Sequence, residues 1–306
     1  MEKDLGAAPR MERCGADGRL MLADGRVIGF REYGDPDGLP LLCFHGTPGS
    51  RFMFQICEDF ARAHGLRLIA PERPGFGLSS FAKARPLSVT APDMAALCDA
   101  LGVNRVAVAG VSGGAPFAVA FAAIYPERVA AMGLVSPVGP FAGPESPKRL
   151  GPGHRLLFRW LPGVPLLYRF LFTFGRLGFL FVPQAMAGFL MARAAPSDWR
   201  ILSDRRTRRN LLRGLREGVR PGVGGAVEEL RCFSRQWDVA FASIHAPTIL
   251  WQGTADRNVP VAAAMKLGEL LPGCRVNTIE GAGHFWILKN YDHVLTSVAR
   301  LARQTA

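Results

Sequence analysis

The chain has 306 residues, 49% of them hydrophobic, enough for one large domain with an insertion or for two modest domains around a sizeable core. Its six cysteines, Cys14, Cys43, Cys57, Cys98, Cys232 and Cys274, form no CxxC pair and have no histidines at metal-ligand spacing, so reduced thiols in a cytoplasmic protein are expected and a metal module is not. The net charge of +12 is local: residues 139 to 238 hold 17 Lys and Arg against 7 Asp and Glu, and the remainder 20 against 18. No zinc finger, RNA-recognition signature or aromatic-basic interleave accompanies it, so nucleic acid is not an expected partner.

The opening MEKDLGAAPR mixes charges without an apolar core, which argues against a signal peptide or anchor. Residues 1–17 read as a flexible leader, with Met11 an alternative start. From Arg19 to Tyr33 two short strand patterns flank Ala23-Asp24-Gly25, a hairpin turn signal that predicts an antiparallel sheet edge. Pro40 to His45 is a continuous apolar run of the buried-strand kind, ending in His45-Gly46-Thr47-Pro48-Gly49-Ser50. Ser50 can cap a helix carrying Met53, Ile56, Cys57 and Phe60 at helical spacing. Leu66 to Ala70 predicts a strand, and Met94, Leu97, Cys98 and Leu101 mark a helix.

Val106 to Ile124, VAVAGVSGGAPFAVAFAAI, then predicts a strand, a sharp turn and a helix stopped by Pro126. Across such a turn the residues two before and two after the centre approach closely, and Gly110 and Gly114 fit there. Ser112 at the centre is predicted in a strained conformation, its hydroxyl projecting from the strand end. A phosphate-binding G-x-G-x-x-G loop is the competing reading, but Ser112 occupies the place of its second glycine. The segment Gly75-Phe76-Gly77-Leu78-Ser79-Ser80 comes closer to that pattern yet lacks the third glycine, and reads as a structural loop. Arg128 to Ser136 is the following strand. The rhythm resumes at Pro247–Gln252 (strand), Pro260–Leu271 (helix), Arg275–Glu280 (strand) and a final helix from about His284 to Ala302. This alternation predicts a mostly parallel sheet with helices on both faces.

A serine hydroxyl needs a base, usually histidine, oriented by a carboxylate. Open α/β sheets place functional groups at the carboxyl ends of strands, and two such ends qualify. Asp256 lies in Gln252-Gly253-Thr254-Ala255-Asp256, and His284 in Glu280-Gly281-Ala282-Gly283-His284. The order Ser112, Asp256, His284, with gaps of 144 and 28 residues, is that of an α/β-hydrolase triad. A simple helix cap at Asp256 and an ordinary loop histidine at His284 are the plainer alternatives. His45 reads as a structural residue of its loop, and His64, His154, His245 and His293 as surface or packing residues.

These motifs resemble the α/β-hydrolase superfamily, specifically capped serine hydrolases with an HGxPGS loop, over roughly residues 19 to 138 and 239 to 304. The resemblance implies Ser112 as nucleophile, His284 as general base and acid, and Asp256 as orienting carboxylate. It also implies an oxyanion hole from the backbone N–H groups of Thr47 and Gly113, with His45, Gly46, Gly110 and Gly114 supporting the motifs. No cofactor or metal is implied. Glu72 departs from the family pattern, which carries Asp before Arg-Pro-Gly, and reads as a loop brace. A serine nucleophile argues against dehalogenase and epoxide hydrolase chemistry, which use aspartate. Core segments 18–138 and 239–306 and a helical cap over 139–238, where this superfamily inserts its lid, are the expected domains.

Leu156 to Met191 is crowded with apolar residues, but its longest uncharged piece, Leu177 to Ala192, is shorter than the ~20 residues of a membrane span. A helical lid, greasy on the face over the active site, is expected, and with it a lipophilic small-molecule substrate. Arg205, Arg206, Arg208, Arg209, Arg213 and Arg216 around Leu211, Leu212 and Leu215 make a solvated helix face or a contact with anionic lipid or a phosphate-bearing acyl carrier. The expected activity is hydrolysis of a lipophilic carboxylic ester through an acyl-serine. Carbon–carbon bond hydrolysis of a diketone-type substrate and a weakly catalytic ligand-binding or signalling role are the alternatives.

Overall fold

The computed structural model describes residues 10–83, 86–148 and 150–305. Its strands are β1 (Arg10–Cys14), β2 (Asp17–Met21), β3 (Val27–Gly34), β4 (Leu39–Phe44), β5 (Leu66–Pro71), β6 (Val106–Val111), β7 (Val129–Val135), β8 (Thr248–Gly253) and β9 (Arg275–Ile279). They form one sheet in the order β1-β2-β3-β5-β4-β6-β7-β8-β9. β1 to β3 are an antiparallel edge joined antiparallel to β5, and all the pairings from β5 to β9 are parallel. The β2–β3 hairpin pairs Met21 with Val27 around Gly25 at φ +82°, the left-handed conformation that its Asp-Gly sequence favours.

The helices are α1 (Glu58–Ala63), α2 (Ala91–Ala100), α3 (Ala115–Ile124), α4 (Pro152–Arg155), α5 (Pro165–Phe181), α6 (Pro183–Arg193), α7 (Pro196–Ser203), α8 (Arg205–Gly218), α9 (Gly224–Phe233), α10 (Val261–Leu270) and α11 (Tyr291–Gln304). Because side chains alternate along a strand, β4 feeds two cores. Leu42 and Phe44 join α2, α3 and α10 on one face, and Leu41 and Cys43 join α1 and α11 on the other. β6, β7 and β8 are buried along their whole length, as expected of strands covered on both faces. β5 lies on one side of β4 and β6 on the other, so the chain leaves their carboxyl ends in opposite directions and opens a crevice there.

Three expectations need correction. Residues 10–17 are not leader: Arg10–Cys14 pairs with Asp17–Met21, and Arg13 reaches Glu32 at 2.6 Å. Its pattern is exposed at nearly every position, so no alternation betrayed this edge strand. The leader's residues 1–9 lie outside the described residues. Instead of one helix from His284, a 3-10 turn over His284–Lys289 precedes α11. The apolar residues of the insertion, expected over the active site, are largely turned outward: Leu166, Phe170, Phe174 and Phe181 are more than half exposed. α5 buries Tyr168 and Phe179, while Leu211 and Leu215 of α8 and Val227 and Leu230 of α9 already fill the cores beneath the insertion.

Candidate active site

β6 delivers Ser112 at φ +53°, a left-handed conformation rare outside glycine and held by the turn around it. A Cβ on Gly110 would lie 2.7 Å from Ala115 Cα, and one on Gly114 2.4 Å from the Phe44 carbonyl, so α3 docks only over glycines. Ser112 is half-buried, and its carbonyl accepts from Val138 N at 3.1 Å. Among the described residues no hydrogen bond joins it to His284 in this conformation, where the imidazole pairs with Asp256. Such contacts commonly tighten only when substrate is bound.

The loop after β4 lies against that elbow. A Cβ on Gly46 would sit 3.5 Å from Ser112 Cβ, and one on Gly113 would fall 3.2 Å from Thr47 N and 2.1 Å from Thr47 Oγ1. Gly113 and Thr47 are thus packed backbone to backbone, and among the described residues the Thr47 amide donates to no acceptor. His45 is fully buried, with Nδ1 2.7 Å from the Gly46 carbonyl and Nε2 facing the Arg73 amide at 3.5 Å. Burial, and then the Arg73 charge, push its pKa well below the usual histidine range, so it stands neutral, donating through Nδ1 and accepting through Nε2.

Asp256, after β8, uses both oxygens. Oδ1 accepts from the amides of Asn258 (2.8 Å) and Val259 (3.0 Å), and Oδ2 lies 2.8 Å from His284 Nδ1. Asp256 thus braces the turn after β8 and holds the imidazole; it does not cap α10, whose N-cap is Pro260. Burial disfavours its charge, but the His284 charge and hydrogen bond and the two amides outweigh that and lower its pKa. For His284, burial opposes protonation, while the charge and hydrogen bond of Asp256 and the charge of Asp198 outweigh it and raise the pKa.

Asp198 was not legible as part of this site. It comes from α7 in the insertion, is 1% exposed, and accepts from Phe285 N at 3.0 Å through Oδ1, while Oδ2 has no partner. A Cβ on Gly283 would fall 2.1 Å from that Oδ2, so glycine before His284 makes room for it. A second carboxylate, Glu229 of α9, clasps the other side. It pairs with buried Arg73, accepts from Thr47 Oγ1, and Arg73 in turn donates to the carbonyls of His45 and Gly46. Arg51 makes a third junction, donating to Asp17 and Glu72 of the core and to Glu217 of α8 at 2.8–2.9 Å. Glu72 also accepts from Leu78 N, acting as the loop brace its position suggested. The available signal was scarcity: in an insertion so rich in arginine, Asp198, Glu217 and Glu229 are among the few carboxylates, and they point inward.

Among the described residues no cluster of metal-ligating side chains occurs. Two open clefts of about 620 and 880 Å³ contain none of Ser112, Asp256 and His284. Chemically, the site offers a hydroxyl on a strained turn, a buried imidazole–carboxylate pair and two adjacent backbone amides.

Known proteins share this arrangement of strands. A sequence profile of the α/β hydrolase fold matches residues 40–291. The chain belongs to the α/β-hydrolase-fold family of enzymes. It is 36% identical over 125 residues to a non-heme chloroperoxidase of Streptomyces lividans, a match covering 40% of this chain and 45% of that protein. It is 25% identical over 284 residues to a 2-hydroxy-6-oxo-2,4-heptadienoate hydrolase of Pseudomonas putida, covering 88% and 90% of the two. Among solved structures, a thermophilic esterase from Thermogutta terrifontis superposes with a TM-score of 0.67 at 20% identity, over 98% of this chain and 99% of that one. At that identity the likeness is one of fold.

Proposed function

We propose that the chain is a serine hydrolase that cleaves a carboxylic ester of a lipophilic small molecule through an acyl-serine intermediate. Ser112 Oγ attacks the ester carbonyl while His284 Nε2 takes its proton, and Asp256 holds Nδ1–H and offsets the imidazolium charge. The N–H groups of Thr47 and Gly113 receive the negative oxygen of the tetrahedral intermediate. His284 then hands its proton to the departing alkoxide. Water, activated by the same imidazole, attacks the acyl-serine, and the acid and free serine result.

The observation that carries this reading is Ser112 at φ +53° with Gly113 packed on Thr47, a contact that supports an oxyanion hole built from their two backbone amides. Met53 reaches the same place: its Cε would lie 3.5 Å from a Cβ on Gly46. With Leu211, Leu215 and Leu288 it lines a gap of about 10 Å³ beside the loop, apolar but too small in this conformation to hold an acyl chain. The test is hydrolysis of p-nitrophenyl esters of increasing acyl length by wild type and Ser112→Ala. Activity with an acyl-length optimum, lost about 10³-fold or more in the variant, supports the reading. Ester turnover that survives Ser112→Ala, or none by wild type, overturns it.

The relative from Pseudomonas putida, whose name gives it a dienoate substrate, favours a second reading over most of the chain's length: carbon–carbon bond hydrolysis by the same serine. Turnover of a 2-hydroxy-6-oxo-dienoate far exceeding that of every ester would select it.

A further inference from the structure

α5 carries a stripe of apolar side chains that the described residues leave largely uncovered. Leu166, Phe170, Phe174, Leu177 and Phe181 recur every three or four residues along one face and are 40% to 81% exposed. The stripe is extended by Trp160 and Val164 before the helix and by Val182 after it, each more than half exposed. A soluble monomer rarely shows water a continuous apolar face of this length. α5 has 17 residues, about 25 Å; among the described residues no single helix is long and apolar enough to cross a membrane, and the one helix pair that is so by combined length and composition, Pro152–Gly163 with α5, is bent by 117°. The stripe is therefore suited to lying on a bilayer rather than passing through it.

The charge beside it names the occupant. Leu180 and Pro183, which bracket the exposed Phe181 and Val182, also line an open cleft of about 880 Å³. Arg205, Arg208, Arg209, Arg213, Arg216 and Arg220 form its other wall. The single acid there, Glu217, already pairs with Arg51 and Arg220. Among the described residues Arg205, Arg209 and Arg216 engage no carboxylate. Arg176 of α5 donates to the carbonyls of Val219 and Arg220, fixing the stripe beside the cleft. A second copy of the chain would bring a like set of arginines against this one, whereas an anionic leaflet supplies both an apolar interior and phosphates.

We propose that α5 and the arginine cleft form one docking surface for an anionic lipid bilayer, with α5 lying in the headgroup plane, its stripe inserted, and the arginines of α8 on lipid phosphates. The test is sedimentation of the full chain with vesicles of phosphatidylcholine alone or with 30 mol% phosphatidylglycerol, at about 50 and 500 mM NaCl. Wild type should pellet with the anionic vesicles at low salt, and its partitioning should fall at least about tenfold in Phe170→Ser/Phe174→Ser and in Arg209→Glu/Arg216→Glu, and at high salt. Both double variants should hydrolyse a soluble ester as wild type does, which reports their folding separately from docking. No binding to anionic vesicles at low salt overturns the proposal, as does binding that survives the Phe170→Ser/Phe174→Ser change. A concentration-dependent dimer in sedimentation velocity, abolished by Phe170→Ser, assigns the stripe to a second copy and overturns it too.

Discussion

The insertion between β7 and β8 has two halves that treat their side chains in opposite ways. α7 to α9 turn their carboxylates inward: Asp198 reaches the amide after His284, Glu217 pairs with Arg51, and Glu229 holds Arg73 and Thr47. α8 also comes so close that a Cβ on Gly218 would fall 2.2 Å from the Gly49 carbonyl, and one on Gly225 of α9 would lie 2.9 Å from Gly75. α5 instead turns its apolar residues to solvent. The inner half behaves as a layer of the site and the outer half as a surface. Substitutions that are drastic in one should be mild in the other.

The largest effect is expected at Arg51. Its side chain is 5% exposed and faces three carboxylates, of which Glu72 is fully buried, so Arg51→Ala leaves uncompensated charge where water cannot reach. Removing one partner of a buried ion pair costs about 3–5 kcal/mol, and the loss should appear as a lowered urea midpoint with the cap loosened from the core. An unchanged midpoint would mean that Arg51 merely accompanies packing that holds the halves together without it.

Next comes Glu229→Gln, which keeps the side chain's shape and removes the charge that faces Arg73 and the loop bearing Thr47. The Thr47 amide is proposed to act on charge present only in the transition state. Loosening it should lower kcat about 10- to 100-fold, some 1.4–2.7 kcal/mol, and leave KM nearly alone. A rise in KM at constant kcat would instead make Glu229 part of the substrate pocket.

What sequence could disclose divides along the same line. The succession of strands along the chain, the elbow and the Asp256 and His284 loops were legible because each is local: a glycine forced by a close turn, an apolar run, a residue just past a strand. The β2–β3 hairpin was likewise announced by Asp24-Gly25. The inner junctions were not, because Arg51 and Glu217, or Arg73 and Glu229, stand 166 and 156 residues apart and meet only when the cap is laid over the sheet. The direction of the apolar residues of α5 was misjudged for a related reason. Hydrophobic spacing identifies a face but not which side of the helix its neighbours occupy, and α8 and α9 had already taken the inner space.

A smaller effect is expected at Asp198, and it is one of pH. His284 must be neutral to accept the serine proton, and its pKa is raised, so activity should fall as pH drops through a value above that of a free histidine. Against burial, the charges of Asp256 and Asp198 both favour the imidazolium. Asp198→Asn removes one of them, so His284 should lose its proton more easily and the acid limb of kcat/KM should move to lower pH. Asparagine can still accept from Phe285 N, so the folded structure should persist. A limb that stays in place would show Asp198 neutral in the working pH range, as its own burial-raised pKa would then require.

The smallest effect belongs to the outer half and is diagnostic because it is small. Phe170 is 58% exposed, and its ring meets that of Phe174 edge to face, at 4.8 Å between centroids. A buried phenylalanine cut to a small residue costs about 3–5 kcal/mol through lost contacts and a cavity, but here no cavity can form. Phe170→Ser should therefore change the urea midpoint by no more than about 0.5 kcal/mol equivalent, and solubility should rise as the apolar face shrinks. A loss of several kcal/mol would mean that α5 packs inward in solution, erasing the distinction between the halves and restoring the greasy roof over Ser112 that the sequence suggested.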